Sequence, residues 1–338
     1  MNARTHLVAR PAPLGNPPPL RMLWITAAWG SCFVAITIAL NSAPALWIAA
    51  LRALIAGAAL ALLTGAQRVP IPRDLRTWAL VGCLGVVNIA LGFATMFGAA
   101  TGMSTGIASV LTNAQPILIL LPAWWLYRER PTPSAIAAGG IGFVGLLVIA
   151  LPSGLGSGAW VALTSAVATT AGTLISRTVQ ADSRFVAAAQ LLIGGVILAS
   201  AATLADGPPR INWNIPFILA LLFMSLVGTA ATTVAWFTET RRARLDLLAA
   251  WTLLVPVFGI LLSLLFLREG PDLWGWIGTG IVLISMALLA AGSRRRISPA
   301  GTASVALLPR NLTEPAAPDP EARSEAQRHP IRPERNHR

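Results

Sequence analysis

One charged side chain lies deep inside an apolar run of this chain: Arg52, eight residues into the segment PALWIAALRALIAG and its neighbours. A cation at such a depth is costly and marks a functional site by default. It could bind the carboxylate or phosphate of a ligand, or clamp backbone carbonyls and hold helices together. The structural role is the favoured reading, because no second charge of this kind accompanies it. Other polar groups at mid-run depth are Asn88, Asn113, Gln115, Thr173 and Gln190. Trp29, Trp236 and Trp251 also lie far from the run ends and are candidates for an aromatic cavity wall. Tryptophans near the ends, such as Trp78, Trp124, Trp125 and Trp274, read as interfacial anchors.

A second set of residues recurs in order. Gln115 to Pro131 reads QPILILLPAWWLYRERP, and Val255 to Pro271, 140 residues later, reads VPVFGILLSLLFLREGP. Pro116 falls on Pro256, Arg128 on Arg268, Glu129 on Glu269 and Pro131 on Pro271. Phe97 matches Phe237 and Thr112 matches Thr252 in the same register. A mid-helix proline removes a donor and clashes with the carbonyl four residues earlier, so each copy is expected to kink. That carbonyl belongs to Thr112 or Thr252, and a freed carbonyl beside a hydroxyl is a candidate polar lining. Two readings stay open, kinks that shape packing and kinks that build a site. Glu129 and Glu269, beside Arg128, Arg130 and Arg268, are expected to form helix-end ion pairs. A gate that breaks and reforms is the functional alternative.

Several chemistries find no residues. There is no phosphate-binding GxxxxGK[ST] loop, no Cys/His cluster for a metal, and no Asp, Glu or His within a span interior. His6, His329 and His337 all lie in the tails, so a histidine-based triad is excluded. The chain therefore reads as a non-enzyme with no cofactor. Cys32 and Cys83 both lie in apolar runs and read as small core residues.

The elements that must position these residues are set by composition. Only 11% of residues are charged, 55% are hydrophobic, and the mean hydropathy is +0.68. A soluble domain carries about 25% charged residues, so the chain reads as an all-α integral membrane protein in contact with a lipid bilayer. Its net charge of +12 comes from arginines in loops and tails. No basic face with interleaved aromatics exists, which argues against nucleic acid. Ten apolar runs are long enough for a ~30 Å hydrocarbon core: 22–40, 44–64, 77–98, 104–127, 133–151, 158–179, 184–205, 214–237, 245–267 and 273–292. Residues 1–21 and 293–338 read as a disordered leader and a disordered basic tail. The ladder Gly98, Gly102, Gly106 is expected to let helices approach closely.

With the amino terminus inside, alternate loops hold nearly all the arginines. Arg68, Arg73, Arg76, Arg128, Arg130 and Arg177 are inner, as are Arg184, Arg241, Arg242 and Arg244; the outer loops hold only Arg210 and Arg268. This asymmetry predicts both termini in the cytoplasm. Ten spans and one duplication give two five-helix repeats, 22–151 and 152–292. Because five is odd, the second enters the membrane inverted, as in many secondary transporters.

The chain resembles the EamA family of the drug/metabolite transporter superfamily across about residues 22–292. Trp29-Gly30 resembles the family's WG entry to span one, and Pro44 with Arg52 resembles its P…R second span. Pro116 with Glu129-Arg130 resembles its fourth-span ending, which returns as Pro256 and Glu269. The chain differs in carrying Arg128 and Arg268 where the family often has Gly, and its second repeat has no match to Arg52, Gln190 being nearest. The resemblance implies a ten-span carrier of the bacterial inner membrane, exporting amino acids, related metabolites or drugs. The reading is thus a transporter of a small-molecule substrate, and the alternative is a non-transporting scaffold or lipid-handling protein of the same fold.

Overall fold

The computed structural model describes residues 15–102, 105–150, 157–266 and 273–295. Its first part comprises α1 (Pro19–Leu40), α2 (Ala45–Ala66) and α3 (Leu75–Leu84), the last running through a π-helical segment (Gly85–Leu91) into α4 (Gly92–Gly102). Then come α5 (Thr105–Thr112), α6 (Gln115–Leu118), α7 (Leu120–Tyr127) and α8 (Pro133–Ala150). The second part comprises α9 (Ser157–Thr178), α10 (Ser183–Asp206) and α11 (Ile215–Leu222), which continues through a second π segment (Phe223–Ala231) into α12 (Thr232–Arg242). It ends with α13 (Leu245–Trp251), α14 (Leu254–Phe266) and α15 (Leu273–Arg295). Among the described residues the only β pairing is an isolated bridge between Gly15 and Ala243.

An all-helical answer follows from the solvent. In lipid each backbone N–H and C=O must find its partner within the segment, which a helix provides. Seven helical stretches among the described residues are long and apolar enough to cross a membrane, and Pro133–Val148 and Leu273–Leu288 are shorter apolar helices. The protein is a multi-pass membrane protein. Leu121, Trp125, Trp160, Leu265 and Phe266 are exposed on its outer surface, where acyl chains replace water. Cys83 is exposed there too, whereas Cys32 is buried. The expectation that both cysteines are core residues holds only for Cys32, because an apolar run in a membrane does not separate a lipid-facing position from a core one.

Helix starts follow local chemistry. Asp74 accepts from Thr77 N at 2.8 Å, and Asn214 accepts from Phe217 N at 2.9 Å, each capping a helix that opens on an inner or outer loop. Gly30 lets α1 pack tightly on α14: a Cβ there would lie 2.6 Å from Phe258 Cβ and 2.6 Å from the Val255 carbonyl. Gly98 and Gly102 face α9 beside Val161 and Gly158, but a Cβ at either would make only ordinary contact, at 3.4 and 3.9 Å, so neither glycine is required there for close approach.

Two pairs of elements correspond at the 140-residue offset. Leu75–Gly102 and Ile215–Arg242 are both 28 residues long, and both contain a π segment, ending at Leu91 and Ala231. The helix interruption after Thr112 matches the one at Thr252–Leu253. The prolines do not kink continuous helices. Pro116 is the second residue of α6 and Pro256 the third of α14, so each lies in the first turn of a new helix. There its missing N–H has no helical acceptor to lose. Thr252 is correspondingly not left with a free carbonyl, since it accepts from Val255 N at 3.0 Å.

Candidate functional site

A cavity of about 140 Å³ lies where α1, α2, α4, α9, α12 and both π segments meet. Arg52 of α2 forms part of its wall and is 4% exposed. Its Nε donates to Thr229 Oγ1 at 2.7 Å and its Nη2 to the Gly228 carbonyl at 3.3 Å, with Cys32 Sγ 3.6 Å from Nη2. Its guanidinium lies 4.7 Å from the centroid of the Phe93 ring, a cation–π contact. Nη1 is buried and has no hydrogen-bond partner. The π segment makes this seat. Its widened turn lets Thr229 Oγ1 donate to the Met224 carbonyl five residues earlier, at 2.8 Å, while accepting from Arg52.

The first π segment makes a matching but uncharged seat. Asn88 lies on the cavity wall, and its Nδ2 donates to Gln190 Oε1 at 3.2 Å. Gln190 itself sits behind Asn88 and off the cavity wall, fully buried, with its Nε2 unpartnered. Gly172 of α9 packs so close to Asn88 that a Cβ would overlap the amide.

Thr173 joins the two ends of the aromatic and polar walls. Its Oγ1 accepts from Gln115 Nε2 at 3.0 Å and from Trp236 Nε1 at 3.2 Å. Trp29 Nε1 donates to Thr232 Oγ1 at 3.1 Å, and the Trp29 and Trp236 rings are tilted with centroids 5.0 Å apart. Thr112 and Asn113 also line the cavity, but both side chains turn back on their helix: Thr112 Oγ1 donates to the Ala108 carbonyl at 2.5 Å and Asn113 Nδ2 to the Ser109 carbonyl at 2.7 Å. Thr252 and Trp251 are off the wall. Thr252 Oγ1 donates to the Ala249 carbonyl at 2.7 Å, and Trp251 is half-buried among packed hydrophobics. Arg52, Asn88, Thr112, Asn113, Gln115, Trp29 and Trp236 are therefore brought together, while Gln190, Trp251 and Thr252 are not.

At the arginine-rich end the expected neighbours do not pair. Glu129 binds Arg177 of α9, instead of Arg128 or Arg130, and accepts from Leu245 N at 3.1 Å. The reason is geometric: Arg128 adopts a left-handed conformation (φ 55°) that ends α7 and turns the chain, leaving Glu129 to face the neighbouring helices. Arg177 also lies over the Tyr127 ring, and Tyr127 Oη donates to the Leu174 carbonyl at 2.5 Å. Arg130 contributes its carbonyl, which accepts from Arg244 Nη2. Arg268 and Glu269 lie outside the described residues.

Residues missed in the sequence complete this end. Asp246 is buried and accepts from Thr132 N at 2.8 Å while pairing with Arg244. Glu239, also buried, pairs with Arg21. It lies in the last turn of α12, which runs five residues past the end expected at 237. The signals available were an acid in the first turn of a helix and an acid two residues before Arg241 and Arg242. On the loop before α10, the Asp182 carboxyl is held below the ordinary carboxylate range, chiefly by hydrogen bonds from the Arg184 side chain.

The model of the EamA-like transporter family matches residues 20–151 and again residues 156–291. The chain belongs to the EamA-like transporter family. Relatives in the drug/metabolite transporter superfamily extend along most of it. The uncharacterized transporter YvbV of Bacillus subtilis is 27% identical over 282 residues, covering 81% of this chain and 92% of that protein. A probable amino-acid metabolite efflux pump of Escherichia coli is 24% identical over 290 residues, covering 81% and 95%. One solved crystal structure superposes with a TM-score of 0.70 at 21% identity, covering 82% of this chain and 98% of that one, and shares the fold.

Proposed function

We propose that this EamA-family member is a secondary carrier that exports a small metabolite from the cytoplasm by alternating access, and that it is not an enzyme. Its ten spans form two inverted repeats, residues 22–151 and 152–292, in the cytoplasmic membrane of a bacterium, with both termini inside. The separate family matches to each half and the 140-residue correspondence of π segments and helix breaks support the duplication. Arginine placement supports the orientation. The observation that carries the transport reading is the cavity between the two halves, with a buried cation in its wall that no acid among the described residues neutralises. Substrate sites of inverted-repeat carriers lie at the repeat interface. A scaffold would gain nothing from a polar cavity there, since polar groups in a membrane interior are costly. Arg52 is the residue expected to bind substrate, within a wall formed by Asn88, Gln115, Thr173, Trp29 and Trp236. The ion-paired end, centred on Glu129 and Arg177, is the cytoplasmic gate.

The E. coli relative named as an amino-acid metabolite efflux pump puts amino acids and their derivatives first in a substrate panel. Export is measured from cells overexpressing the protein, with and without an uncoupler. The expected outcome is faster efflux of at least one metabolite class, collapsed by the uncoupler. No enhancement for any class would refute the carrier reading.

A further inference from the structure

The charge inventory of the cavity narrows what it can hold. Among the described residues Arg52 is the one charged residue on its wall, and every partner of its Nε and Nη2 is neutral. The carboxylates packed into the helix ends are already committed: Glu129 to Arg177, Glu239 to Arg21, and Asp246 to Arg244. Among the described residues none of these is left to neutralise Arg52. A buried cation with an unused donor at Nη1 lacks one negative charge and one acceptor. A phosphate monoester would bring a second negative charge with no partner. An ammonium would bring a second positive charge into a cavity whose wall carries no acid among the described residues.

Shape adds a further restriction. The indole N–H groups of Trp29 and Trp236 are engaged by Thr232 and Thr173, which leaves ring surface for an apolar body. A volume of about 140 Å³ is close to that of a cavity of about 150 Å³ that holds one benzene ring, so the ligand is on the order of a single ring with a small substituent. We propose that the cavity binds a small aromatic or flat apolar monocarboxylate that carries no ammonium group, its carboxylate on Arg52 and its ring against Trp29 and Trp236. This deepens the carrier reading, on which it rests for the route by which the ligand enters.

The test uses three probes that share one ring: phenylacetate (anion), phenylalanine (zwitterion) and phenethylamine (cation). Binding to the purified full-length protein in nanodiscs is measured by calorimetry. Phenylacetate is expected to bind, and the other two to bind at least about tenfold more weakly, the size of one charge-assisted interaction. Arg52→Gln should abolish phenylacetate binding. Because that variant also removes contacts to Thr229 and Gly228, Cys32→Asp serves as a second. It leaves Arg52 in place and sets a permanent carboxylate beside Nη2; it too should lose phenylacetate. Phenylalanine or phenethylamine binding as tightly as phenylacetate, no phenylacetate binding at all, or undiminished binding to a folded Cys32→Asp protein would each overturn the proposal. Counterflow in proteoliposomes separates the two ideas. Exchange of phenylalanine without phenylacetate would overturn the substrate class and leave the carrier standing. Phenylacetate binding with no counterflow of any probe would sustain the site and count against the carrier.

Discussion

Glu129→Gln is the perturbation that asks whether the ion-paired end is a gate. The Glu129 and Arg177 side chains are 9% and 12% exposed. The introduced side-chain amide would still offer an oxygen to Leu245 N, which lies 3.1 Å from the native carboxylate, so the change isolates the loss of charge. Removing one partner of a buried pair costs about 3–5 kcal/mol, because the remaining charge is left uncompensated. The lower end applies at a helix terminus near water. About 3 kcal/mol is about a hundredfold in the ratio of closed to open gate. The cost falls only on states in which the pair is closed.

Leu174→Cys, one turn from Arg177 on α9 at a position 8% exposed, reports the opening. In a background of Cys32→Ala and Cys83→Ala, its labelling by a membrane-impermeant maleimide is followed in inside-out vesicles. Labelling should rise by about one to two orders of magnitude in Glu129→Gln and in Arg177→Gln. The double variant removes the orphaned charge as well as the pair, and should label more slowly than either single one. Labelling within twofold of the parent in both single variants would refute the gate. So would strictly additive effects, since residues that act as one pair are not additive.

Thr173→Val removes the acceptor shared by Gln115 and Trp236. It leaves two buried donors unsatisfied at about 1–3 kcal/mol each, so a loss of thermal stability of that size is expected in detergent, checked by the melt of tryptophan fluorescence. Asp182 supplies a pH signature. Its carboxyl is held below its ordinary value of 3.8 by Arg184, so the stabilisation is present above that value and is lost as pH falls through the lower folded value. Asp182→Asn should therefore flatten the acid limb of stability below about pH 4, and an unchanged acid limb would remove Asp182 from the account.

How much of this was legible in sequence depends on which force set each feature. Apolar runs and arginine asymmetry are properties of segments facing lipid and its two surfaces, so helix positions came out to within a few residues. The cavity wall was legible where a polar or aromatic residue is anomalous in lipid: Arg52, Asn88, Gln115, Trp29 and Trp236 were all singled out, and all meet. Thr229 on the wall, and Thr232 that holds the Trp29 indole, were not, because a threonine in an apolar helix usually bonds its own backbone and carries no anomaly. The π segments that aim Thr229 and Asn88 inward have no composition signal. The pairing of Glu129 with Arg177 required knowing how α7 ends, and the left-handed turn at Arg128 gives no warning in a residue that normally avoids it.

The two seats beneath the cavity explain why, among the described residues, its wall carries one charged side chain. At the 140-residue offset, Cys32 corresponds to Gly172 and Asn88 to Gly228. Both cross-pairs are in contact with no room to spare: a Cβ on Gly228 would overlap Cys32, and a Cβ on Gly172 would overlap Asn88. In each pair one member is glycine, but on opposite sides. Where the glycine is in the π segment, its bare carbonyl is open to Arg52. Where the π segment instead carries Asn88, that amide fills the space, and Gln190 meets it in the absence of any cation; the position matching Arg52 is Leu192. A guanidinium on both sides would place two unneutralised charges against one small cavity, at a cost no neutral lining could offset. The residues at these few positions give the cavity one charged side, beside Phe93, and one amide side.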